Sequence, residues 1–303
     1  MLRTGSMLTI DPKEVPTGVL HGYLLSAVAP RPIALASTMD EEGNPNLSPF
    51  SFFNVFSANP PIAIFSPARR VRNNTTKHTL ENAQATKEVV INIVNYDMVQ
   101  QMSLSSTEYG DGVDEFVKSG LTKLESEMIK PFRVKESPVQ LECTVREVIE
   151  LGQEGGAGNL VISEVVKVHV SEEVLDENGK IDPLKMDQVA RCGGNWYSRA
   201  NAESMFEVPK PLSTLGIGVD QIPSDIRNSK ILSGNDLGML GNVENLPNET
   251  DVNEYKLMEL SDLFMEYEDD AKTLEQKLHQ LAKEQLANNE IEQAWMTLLA
   301  FNN

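Results

Sequence analysis

Residues 44–67 read NPNLSPFSFFNVFSANPPIAIFSP and contain no acidic residue, although the 303-residue chain carries a formal charge of -19. The run is rich in aromatics and poor in helix formers; NPP at 59–61 interrupts it before IAIFS resumes as an extended segment. Upstream, PIALAST at 32–38 has the composition of a short buried strand, and MDEEGNPN after it has that of a hairpin loop. Residues 32–66 are therefore expected to form consecutive antiparallel strands.

The acid-free window extends from Gly43 to Leu80 and carries Arg69, Arg70, Arg72, Lys77 and His78. A pair of unit charges about 4 Å apart is worth on the order of 4 kcal/mol at an effective dielectric near 20, reason enough to keep carboxylates away from a bound anion. Ser48 and Ser51 offer hydroxyls, Asn46 offers an amide, and a non-helical backbone leaves N–H groups free to face a ligand. Phe50, Phe52, Phe53 and Phe56 read as strand core. In TKHTLENAQATK, Thr76 is the expected N-cap of a helix, with Lys77 and Thr79 at its start. Either those two hold a phosphate there, or the segment is an ordinary cap with solvated bases; spacing alone does not separate the two.

Further along, EVVINIV reads as a strand and DMVQQMSLSS as a short helix. SPVQLECTVREVIEL and NLVISEVVKVHVSEEVL read as a hairpin joined by GQEGGAG. That glycine run opens no helix, so it is expected to be a mobile turn and not a phosphate loop. Many strands with few helices between them give a mainly β class, an antiparallel barrel over residues 1–213. Residues 214–250, rich in Gly, Asn and Ser, read as an extended connector, and 251–303 as an acidic helical extension. Residues 244–303 hold fourteen Asp or Glu against four Lys, a net -10 and about half of the total charge.

Such acidity repels phosphodiester backbones and excludes nucleic acid as a partner class. No window is long and apolar enough for a membrane span, and no signal-peptide core opens the chain, so a cytoplasmic location is expected. Cys143 and Cys192 lack metal-site spacing; free thiols in a reducing compartment are favoured over one bridge between them. No metal site, catalytic triad or EF-hand pattern is present.

The runs RPIALASTMDEEGNPNLSPFSFFNVFSANPPIAIFS, KHTLENAQATKEVVINIV, EVVKVHVSEEVLDENGKID and VARCGGNWYSR together resemble the flavin reductase-like family over residues 15–210. The resemblance implies an FMN-binding split barrel, homodimeric, taking hydride from NAD(P)H and passing electrons to an acceptor, which includes a partner protein. An alternative it leaves open is a flavoredoxin-like carrier without NAD(P)H turnover. It places Thr38, Asn46, Ser48, Pro49, Ser51 and Phe52 at the flavin ring or ribityl chain, and Ser66, Lys77 and Thr79 at the phosphate. Many relatives carry Asp where this chain has His78. The resemblance assigns His169, Arg191, Gly193 and Tyr197 to the nicotinamide side; His169 either contacts nicotinamide or exchanges protons there, or is a plain strand residue paired to backbone or water. It requires no covalent catalytic residue.

Overall fold

The computed structural model describes residues 6–110, 112–211 and 215–302. They form two compact units, Met7–Phe206 and a second within Glu207–Asn303. The boundary expected at 213/214 lies outside the described residues.

In the first unit, helix α1 (Thr17–Ala27) precedes strands β1 (Ala34–Met39), β2 (Pro45–Phe50), β3 (Phe53–Ala58) and β4 (Pro61–Phe65). Then come α2 (His78–Thr86), β5 (Glu88–Ile93), α3 (Val99–Leu104), α4 (Glu115–Ser119) and the short pair β6 (Lys123–Leu124) and β7 (Arg133–Val134). The long hairpin β8 (Val139–Glu150) and β9 (Asn159–Val170) follows, then α5 (Pro183–Met186) and a small hairpin, β10 (Val189–Arg191) with β11 (Tyr197–Arg199).

Seven strands form one antiparallel sheet in the order β2-β1-β5-β8-β9-β4-β3. Its two edges, β2 and β3, are consecutive in the chain and joined only by Ser51 and Phe52. Laid flat, six strand spacings would separate those edges by roughly 29 Å. The link from Phe50 to Phe53 reaches at most about 11 Å. The sheet must therefore curl upon itself, and the fold is a split β-barrel.

One face of the sheet packs Ala34, Ala36, Phe50, Phe65, Val89 and Ile91 against Leu80 and Ala83 of α2. The opposite face packs Leu35 and Leu47 against Met98, Met102 and Phe116 around α3 and α4. Alternation along β1 and β2 thus serves two cores, which explains why β1 is buried at nearly every position. Both cysteines are free, and burial, with Glu142 beside it, pushes the Cys143 thiol up to about 12.

The described residues of the stretch expected to be an extended connector, 215–250, depart from that expectation. They carry α6 (Ser224–Arg227) and α7 (Gly234–Leu240), the latter opened by a capping box of Ser233 and Asp236. Ile222, Ile226, Leu232 and Leu240 are buried there around Trp295, whose Nε1–H donates to the Leu240 carbonyl at 3.1 Å. The rest of this unit is helical: α8 (Glu249–Glu259), α9 (Ser261–Glu266), α10 (Ala271–Ala287) and α11 (Ile291–Leu299). Among the described residues no helix is long and apolar enough to cross a membrane.

Candidate functional site

Asn46, Ser48 and Phe50 of β2 lie opposite Thr38, Ala36 and Ala34 of β1, so their side chains share the face covered by α2. Thr79 of α2 is buried, and its Oγ1 donates to Asn46 Oδ1 at 2.6 Å. The Asn46 Nδ2 donates to Glu115 Oε1 at 3.2 Å, and Asn82 Nδ2 donates to Thr38 Oγ1 at 3.2 Å. Thr38, Asn46 and Thr79 are thereby brought together. Their polar atoms are also committed to one another and to two residues, Asn82 and Glu115, that the sequence did not single out.

Glu115 is buried on α4, and its second oxygen accepts the Leu47 N–H at 3.2 Å. Since β2 is an edge strand, that N–H has no strand partner, and the carboxylate closes the edge. Burial raises the Glu115 pKa, against the pull of its own and the Leu47 N–H groups. A cavity of about 490 Å³ opens beside this carboxyl and is lined by Asp40, Glu81, Asp114 and Glu115 as well as Asn46 and Asn82. Four acids make it an unsuitable seat for a phosphate.

The cations lie elsewhere. Lys77, and not Thr76, occupies the N-cap of α2, because the Thr76 hydroxyl is bonded to Glu81. The Lys77 ammonium stands over the Phe50 ring, 4.8 Å from its centroid, and burial, with Arg70 nearby, lowers its pKa. Among the described residues no carboxylate lies within 4 Å of it. Arg70 and Arg72 share Glu108, and Arg69 is held by Asn74 through its Nε at 2.7 Å. Ser66 follows β4 and lies against Gly158, where an added Cβ would sit 2.7 Å from the Ser66 hydroxyl. The GQEGGAG turn is docked: Gly156 N–H donates to the Arg69 carbonyl at 3.0 Å, Arg69 N–H donates to the Ala157 carbonyl at 2.8 Å, and Asn74 Nδ2 reaches the Gln153 carbonyl at 2.9 Å. These bonds replace the free turn expected from glycine content. Arg69, Arg70 and the loop before α2 are therefore braced by these hydrogen bonds, with Arg70 and Arg72 meeting Glu108.

Ser51 and Phe52, the link between the barrel edges, adjoin a third group. Arg31 is buried; its Nε lies 3.5 Å from Ser51 Oγ, and its Nη1 donates to the Val28 carbonyl at 2.8 Å and to the Leu25 carbonyl at the C-terminal end of α1. Arg31 and Arg191 exchange backbone hydrogen bonds, both 2.9 Å. Arg191 in turn donates to the Tyr197 hydroxyl at 2.8 Å and stacks on its ring. Gly193 has φ +92, and a Cβ there would meet Ser26 Oγ of α1 at 2.6 Å, so glycine permits the close approach. Phe52 remains 40 % exposed, edge-on to His21.

His169 stands apart within one chain. It lies across from Gln140, which lies across from Asn92, then Leu35, then Pro49, which puts it four strands and roughly 19 Å along the sheet from β2. By the same register its side chain is on the face opposite Thr38, Asn46 and Ser48. Its Nε2 pairs with Glu142 Oε1 at 2.7 Å. Burial would raise the Glu142 pKa, but the N–H groups of Glu127 and Met128 and the His169 ring hold it below the usual carboxylate value.

The fold has known counterparts. Residues 26–190 match the family described as flavin reductase like domain, more than half of the chain. The chain belongs to the flavin reductase-like family. An uncharacterized protein of Aquifex aeolicus (strain VF5) is 34% identical over 196 residues, 65% of this chain and 97% of that one. Nitrilotriacetate monooxygenase component B from Bacillus cereus is 29% identical, with a TM-score of 0.63 over 68% of this chain and 100% of its own. Flavoredoxin of Desulfovibrio vulgaris (Miyazaki F) shares the fold at 23% identity, with a TM-score of 0.51 over 61% of this chain and 93% of its own.

Proposed function

We propose that this member of the flavin reductase-like family binds FMN and transfers hydride to it from NAD(P)H. The observation that carries the reading is the group of cations Arg70, Arg72 and Lys77 just ahead of α2, with Lys77 over the Phe50 ring, in a chain of charge -19. Ser66, Lys77 and Thr79 would take the phosphate end; Thr38, Asn46, Ser48, Pro49, Ser51 and Phe52 would take the ribityl chain and ring. Bound FMN supplies the two-electron redox chemistry. The protein's part is positioning: Glu115 and Thr79 fix which way the Asn46 amide points, and Arg31 fixes the α1 end against Ser51. Arg191, Gly193 and Tyr197 are proposed to border the nicotinamide.

A homodimer is part of the proposal. Helix α1 is apolar yet has no buried residue, leaving Val19, Tyr23 and Leu24 about half exposed, and edge strand β3 leaves Val55 and Phe56 exposed. Apolar surface of that extent fits an association face. Similarity to a monooxygenase component supports a partner protein as electron acceptor.

Titrating FMN into flavin-free protein tests the cofactor: its fluorescence is expected to be quenched and the melting temperature to rise. NADH or NADPH added without oxygen is then expected to bleach the flavin absorbance promptly. Binding without bleaching would leave a flavin carrier; no binding would remove the reading altogether.

A further inference from the structure

We propose that Glu108 is a displaceable occupant of the phosphate seat and thereby sets how strongly this protein discriminates FMN from riboflavin. The inference rests on the FMN reading above and extends it to a residue outside the acid-free window.

Glu108 arrives from the segment between α3 and α4 and divides its carboxylate between two guanidinium groups. One oxygen lies 3.2 Å from Arg70 Nε and the other 3.0 Å from Arg72 Nη2. Arg70 is held from behind, its Nη1 donating to Thr75 Oγ1 at 2.9 Å and to the Thr76 carbonyl. The loop that carries it is braced on the Gly156 turn. Arg70 is thus set in place, its side chain 25 % exposed, whereas Glu108 is 56 % exposed and Arg72, 78 % exposed, meets only Glu108 among the described residues.

Lys77 feels this field more weakly: burial lowers its pKa most, Arg70 adds to that, and Glu108 acts in the opposite sense. Two guanidinium groups therefore answer to one carboxylate, and the imbalance favours a second anion or a stronger one. A phosphate monoester bears a charge of about -1.5 to -2 at pH 7 and three acceptor oxygens against the carboxylate's two. It can take both arginine contacts and keep an oxygen to spare. Exposed ion pairs of this kind each contribute no more than about fivefold to an equilibrium, so displacement is a modest cost. Riboflavin, which lacks the phosphate, has no reason to move Glu108.

The test is the dissociation constant of FMN and of riboflavin, by fluorescence quenching, for the unaltered protein and for Glu108→Gln. Glu108→Gln is expected to tighten FMN roughly threefold to tenfold and to leave riboflavin within twofold. Glu41→Gln, the same change of charge on the exposed β1–β2 turn, is expected to leave both within twofold, which separates displacement from a general field effect. Unchanged or weakened FMN binding in Glu108→Gln, or an equal shift for both flavins, would overturn the proposal while leaving the FMN reading intact. An unaltered protein that binds neither flavin would bring down that reading and this inference with it.

Discussion

Asn46 owes its orientation to a residue 69 positions away, Glu115, and to Thr79. The acid-free window is acid-free only along the chain: in space Glu108 and Glu115 both close upon it. Replacing Glu115 by Ala is expected to leave the Leu47 N–H and the Asn46 amide without acceptors at a buried edge, at a cost of about 1–3 kcal/mol in urea unfolding. Because burial raises the Glu115 pKa, its ionised form weighs against the folded state. Its contribution is most favourable below the unfolded value near 4.5 and is lost as pH rises through the higher folded value, and Glu115→Gln should remove that dependence. The sequence revealed the amide, the hydroxyls and the lysine because they cluster within forty residues. It could not reveal Glu108, Glu115 or the committed state of Thr79, since contacts between distant segments leave no local pattern. His169 illustrates the same limit: family resemblance assigned it to the nicotinamide side, whereas only strand register shows that within one chain it lies on the far face, paired to Glu142.

Elements with strong periodicity or turn chemistry were legible: the β1–β2 hairpin, α2, and the long β8–β9 pair with its glycine turn. Helix α1 was not, because TGVLHGYLLSA contains two glycines, has no capping side chain and buries no face. Helices α6 and α7 are four and seven residues long, too short for a helical period to emerge. The glycine turn gains a role that its composition concealed. Gly156 has φ +94, so Gly156→Ala is expected to strain the turn by about 1 kcal/mol and loosen the loop it braces. Hydrogen exchange should then accelerate at Arg69 and Asn74 but not in α10. In α10, the buried His279 Nδ1 lies 2.8 Å from Ser229 Oγ, whose oxygen also accepts the Ile231 and Leu232 N–H groups at 3.1 and 3.2 Å. The hydroxyl proton must therefore go to the imidazole, which has to be neutral there. Burial lowers the His279 pKa, so this unit is expected to lose stability as pH falls through 6.5 toward the folded value, and His279→Gln should flatten the profile.

At the scale of the molecule, the exposed apolar residues of α1 and β3 predict twice the mass of one chain in sedimentation at micromolar concentration, with Tyr23→Glu plus Phe56→Glu shifting the population to single chains. Acidity is segregated in the same way as structure, with about half of the net charge in residues 244–303. Composition disclosed that division, although the helical unit begins earlier than its charge suggests, because Ile222 and Leu240 belong to the Trp295 core. The two tryptophans follow the same partition: Trp196, 79 % exposed, sits in the barrel unit, and Trp295, 1 % exposed, in the helical one. Each half consequently owns a private optical probe, red-emitting and open to quenchers in one case, blue-emitting and shielded in the other. Iodide or acrylamide should darken the first alone, and a phenylalanine at either position would let a denaturation curve be recorded for its counterpart without interference.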